Sequence, residues 1–148
     1  MAEANARCDR LSIPLLISTN TILTRLETCR HFQVNAAKFA WSATEKSANP
    51  RKYLLACDIF CTLLVFGQIN LVQGYLYVLL GHRLVPRIRS YTATQMYAAI
   101  LSLDIDGSME KLSEIGEILQ QTDWLELNEA KQERDKIRNL MKQLPSSS

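Results

Sequence analysis

Glycine and proline are scarce in this chain, five and four among 148 residues. A β-rich fold built on tight turns needs many more of both, so that class is excluded. Histidine occurs only twice, as His31 and His82, and neither stands in an HExxH or comparable cluster. Cys8, Cys29, Cys57 and Cys61 have neither the spacing of a disulfide scaffold nor that of a zinc ribbon. Cys57 and Cys61 stand one helical turn apart in an apolar run, which reads as a pair of buried free thiols in a reducing compartment. Cys29 and His31 would point about 160° apart on a helix, so neither activates the other. A glycine-rich phosphate loop and a GxSxG elbow are both missing. No apolar segment follows the basic residues of MAEANARCDR, so no secretory signal is expected. These absences lead us to expect an intracellular, cytoplasmic rather than membrane-resident, non-enzymatic protein, with no catalytic residue, metal or cofactor to nominate.

What is present favours a packed helical core. Apolar residues make up 47% of the chain, which argues against disorder, and the length suits one domain. The net charge of +2 is unevenly placed: residues 1–100 carry 11 Lys and Arg against 5 Asp and Glu, and residues 101–148 carry 6 against 10. Such polarity suits head-to-tail docking, or an anionic partner for the first part.

The chain is organised around Asn49–Gly81, in which 22 residues, Ile59 to Leu80, carry no formal charge. Asn49-Pro50 is a helix start, with Asn49 as cap and Pro50 in the first helical position. An unbroken helix to Leu80 would be about 46 Å long, against a diameter of ~40 Å for a compact chain of this size. A break near Gly67-Gln68, giving a hairpin of helices 50–66 and 69–80, is the compact solution. The same run is long enough to span a bilayer and is basic on both flanks, which makes a membrane anchor over 59–80 the alternative. Gly67, Gly74 and Gly81 recur every seven residues, with Asn70 and Tyr77 between them. Since each helical glycine costs about 1 kcal/mol relative to alanine, the period implies a neighbouring backbone lying along that face. On that expectation Gly74→Leu is destabilising.

Elsewhere, residues 1–10 read as a flexible N-terminus, 11–144 as a single helical domain and 145–148 as a flexible tail. A first helix is expected to start near Ser12 with Pro14 in its first turn, keeping Leu16, Leu23 and Leu26 in period. A second, from Gln33 to about Lys46, sets Val34, Ala37, Trp41 and Thr44 on one face. Further helices are expected from Pro86 to Leu103 and around Leu112, Ile115, Ile118 and Leu119. Asp123 with Glu126 resembles a capping box opening a last helix. That helix bears a narrow apolar stripe through Leu127, Ile137, Met141 and Leu144. Residues 102–113 have some letters of a calcium loop, but Ser102 and Ser113 replace its two most demanding carboxylates, and an Asp106-Gly107 turn explains the segment better.

The expected architecture is all-α: a compact helical bundle of five to seven helices around a central apolar helix or helical hairpin at residues 50–80. The expected role is protein–protein interaction, as an assembly or scaffold module that forms homo-oligomers. Two surfaces are nominated, the seam of Gly67, Asn70, Gly74 and Tyr77, and the last-helix stripe, which suits a partner groove. A weaker alternative is nucleic-acid binding through Arg83, Arg87 and Arg89, the basic connection that could contact phosphates.

Overall fold

A computed structural model describes residues 2–25, 28–45 and 47–146, with side chains from Arg10 onward. The described residues form seven helices: α1 (Ala2–Arg25), α2 (Arg30–Thr44), α3 (Pro50–Val65), α4 (Ile69–Leu80), α5 (Pro86–Ser102), α6 (Met109–Gln121) and α7 (Leu127–Met141). Among the described residues there is no strand. Leu26 and Lys46, named above for the first two helices, lie outside the described residues.

Local chemistry sets the central hairpin. Asn49 accepts the Arg51 N–H on its side-chain oxygen at 3.0 Å, and Pro50 follows, so α3 begins where the capping pattern puts it. It ends in a left-handed glycine: Gly67 has φ 83°, its N–H reaches Leu64 O at 2.9 Å, and the Gln68 N–H reaches Leu63 O at 3.1 Å. That pair of bonds is the Schellman closure, which a residue with a Cβ resists. The first turn of α4 is capped from far along the chain. The Ser146 hydroxyl accepts the Asn70 N–H at 3.1 Å and donates to Gly67 O at 3.3 Å.

α3 is the hub. It packs against α1, α2, α4 and α5, while α6 lies on α5 and α7 spans α4 and α6. Ala56, Ile59, Phe60, Leu63 and Leu64 are fully buried along it. Tyr75 of α4 stacks between Trp41 of α2 and Phe60 of α3, with ring centroids 5.0 and 4.9 Å away. Such pairs add about 0.5–1.5 kcal/mol each beyond area burial, and this three-ring stack ties three helices together.

Four expectations change. The first helix begins at Ala2, so Ser12 is not its cap and Pro14 is an interior residue; the preceding AEANAR is rich in helix formers that extend the helix backwards. Glu126, not Asp123, caps α7, accepting from the N–H groups of Asn128 and Glu129. Asp123 instead closes a turn onto the Leu125 N–H, because buried Trp124, bonded through its indole to Leu119 O, must be placed before the helix can start. The anchor alternative over 59–80 is the third: the run is two helices, as the compact solution has it, and none of the described helices is long and apolar enough to cross a membrane.

The seam is the fourth. Gly67 lies in the interhelical turn, and a Cβ on Gly74 would meet nothing within 4 Å. At Gly81 the close neighbour is the Arg134 guanidinium rather than a main chain. The sevenfold spacing therefore has three unrelated causes. We expect Gly74→Ala to stabilise the fold by up to about 1 kcal/mol through helix propensity, and Gly67→Ala to cost about 1–2 kcal/mol through its left-handed backbone. Urea midpoints read both; equal shifts of one sign would contradict the assignment.

Candidate binding site

α5 begins with the basic connection, and the structure separates its three arginines. Arg83 and Arg87 are exposed, but Arg89 is 2% exposed and belongs to the interior. Its Nε donates to Trp124 O at 2.7 Å, Nη2 to Leu125 O at 2.8 Å and Nη1 to His82 O at 2.5 Å. The His82 carbonyl lies just beyond the C-terminal end of α4, where the helix dipole favours a cation, and the other two belong to the link between α6 and α7. Arg89 is therefore a structural pin and not the anion contact expected of it. Beside it, the His82 ring packs edge-on against Tyr53, and its Nδ1 accepts the Val85 N–H at 3.3 Å. Burial, and then the Arg89 charge, hold the His82 pKa below its usual 6.5.

Tyr77 and α7 form the next layer. The guanidinium groups of Arg134 and Arg138 lie 4.1 and 4.6 Å from the centroid of the Tyr77 ring, and the Tyr77 hydroxyl donates to Asp135 at 2.6 Å. Arg134 Nη1 also donates to Tyr77 O at 3.1 Å, satisfying one of the free carbonyls at the end of α4. A Cβ on Gly81 would overlap that guanidinium, so this glycine admits a side chain of α7. Tyr77 is thus an intramolecular clamp. Asn70 and Gly74 are exposed, but with no seam between them they do not form one surface with it.

The α7 stripe is also used at home. Ile137, Met141 and Leu144 are buried within the chain and Leu127 is half-buried, so these side chains are not free to enter a partner's groove. The last helix docks along α4 of the central hairpin and along α6.

What the structure assembles instead is a pair of oppositely charged grooves on the two flanks of α7. On the α4 side, a cavity of about 690 Å³ is lined by Arg83, Lys131 and Arg134 around Val78, Leu84 and Leu127, with no carboxylate among the described residues of the lining. Leu84 is 86% exposed at its mouth. On the α6 side, a cavity of about 450 Å³ is lined by Glu114, Glu117, Glu129 and Glu133, with Lys136 bonded to Glu133 at 2.8 Å. Lys131 and Arg134 escaped the sequence reading because they belong to a different helix from Arg83. The available signal was α7 itself, where residues 131 and 134 share one flank and 129 and 133 another.

At the segment 102–113, Gly107 takes φ 79° in a turn, and Asp104 and Asp106 are exposed. Among the described residues, no three His, Cys, Asp or Glu side chains come together in a way that could hold a metal ion. No family model matches the chain, and neither a curated protein nor a solved structure shows detectable similarity to it.

The unfolded chain takes up a His82 proton near pH 6.5, while the folded chain resists it. Folding stability contributed by this group is therefore fully present above that pH and lost as the pH falls through it. We expect the urea midpoint to decline on acidification below 6.5, and to decline less in His82→Asn, whose amide oxygen preserves the acceptor for Val85. An identical decline in both proteins would assign the effect elsewhere.

Proposed function

We propose that this protein is a non-enzymatic assembly module that self-associates head to tail, the basic α4–α7 groove of one copy receiving the acidic α6–α7 face of the next. One observation carries the reading: α7 divides a cationic groove from an anionic one within a single chain. Opposite potentials on two separate patches make an interface that each copy can use twice, giving closed rings or open chains. Exposed Leu84 and Val78 at the basic groove supply apolar area that steering charges alone would lack. A catalytic reading finds less support. The hydrogen bond with Cys57, and then burial, push the Cys61 thiol well up, which keeps it an inert thiol. With Arg89 internal, a nucleic-acid reading retains only Arg83 and Arg87 of its three original contacts.

Light scattering on size-exclusion fractions tests the proposal. At low salt we expect species larger than the 16.8 kDa monomer, shrinking as added salt screens the charges. Arg83→Gln with Lys131→Gln, and separately Glu114→Gln with Glu117→Gln, should each leave monomers. Mixing the two variants should restore a dimer that extends no further, since only one intact interface remains. A monomeric wild-type protein at high concentration and low salt would overturn the reading.

A further inference from the structure

α1, α3 and α5 meet in a third cleft, of about 430 Å³, remote in sequence from both charged grooves. At one end the Tyr91 hydroxyl donates to Asp58 at 2.6 Å, joining α5 to α3. Asn20 of α1 closes the side, its amide oxygen 2.8 Å from the Thr62 hydroxyl. Gln95 and Ser102 continue the polar wall along α5, and Val65 and Ala98 give apolar surface at the far end. Among the described residues, the lining contains one carboxylate and no cationic side chain.

That imbalance is the informative feature. A half-buried carboxylate has lost part of its hydration, and without a cation its ionised form is poorly compensated. Burial accordingly pushes the Asp58 carboxyl up, and the bond from Tyr91 offsets this only in part. Burial and the same contact push the Tyr91 hydroxyl up as well, so it stays a donor that orients the carboxylate. A single hard-oxygen anion is too little for a divalent metal. The unreactive Cys61 thiol in the lining argues against covalent chemistry.

We infer that the cleft binds an alkylammonium group, with its charge against Asp58 and its methylene chain running along α3 toward Val65. The carboxylate and the Gln95 side-chain oxygen offer acceptors for the ammonium, and Val65 and Ala98 cover the chain. Seven residues of helix from Asp58 to Val65 span about 10 Å, the reach of a short alkylamine. With no second carboxylate at the far end, a monoamine fits better than a diamine. A free amine and the side chain of a lysine share this chemistry.

Titration of the full-length protein with hexylammonium, hexanoate and Nα-acetyl-lysine amide, followed by amide NMR shifts, tests the site. We expect saturable shifts at residues 20, 58, 62, 91 and 95 with either ammonium compound and none with hexanoate; the tighter of the two identifies the source. Asp58→Asn keeps the acceptor for Tyr91 and should weaken binding by about tenfold or more through the lost charge pair. Ala98→Leu, at an exposed helix position that tolerates a larger side chain, should block the cleft by bulk even if Asp58→Asn proves unstable. The inference is overturned by unchanged affinity in either variant, by equal binding of hexanoate, or by no shifts at millimolar ammonium.

Discussion

A single buried guanidinium fixes the second half of the molecule. Arg89 donates to carbonyls of His82, Trp124 and Leu125, so one side chain holds the loop after α4 and the link before α7 against the start of α5. Hydrogen bonds to charged groups contribute about 1.5–3 kcal/mol each, and losing the donor would strand polar atoms in the interior. The cation is retained because three backbone carbonyls replace its water. Once the link at 122–126 is held there, α7 can lie only along α4 and α6, and both charged grooves follow from that placement.

The two halves of the fold are stabilised differently. The hub around α3 is apolar, closed by the Trp41–Tyr75–Phe60 stack and buried aliphatic side chains. α7 instead is attached through a stripe of Ala130, Ile137 and Met141, with polar grips at its flank from Tyr77, Arg134 and Asp135. Among the described residues the buried Nε of Arg134 has no hydrogen-bond partner, and its guanidinium is held largely by the Tyr77 ring and carbonyl. A helix held so polarly at its flank responds to salt more than the hub does.

Features with a local cause were legible in the sequence. Asn49-Pro50, the break at 66–68 and the Pro86 start each depend on the dihedrals or the capping chemistry of a few adjacent residues, and the structure places them as expected. The α7 stripe was legible as a stripe, but its occupant was not, since the partner surface lies on α4 and α6. The glycine period misled because equal spacing was assigned one cause, when a turn, an open surface and an arginine contact had each selected glycine separately. Arg89 could have been found: it stands in register with Ala93, Met96 and Ile100, on the buried face of α5. Asp58 carried a signal too, as the only acidic residue between Glu45 and Asp104.

Native-state amide hydrogen exchange of Arg89→Met is the most direct measurement of whether one side chain positions α7. If Arg89 is the pin, protection falls selectively in α7 and in residues 122–126, while α3 amides keep theirs. Unchanged protection in α7, or an equal loss across α3 and α7, would contradict the account.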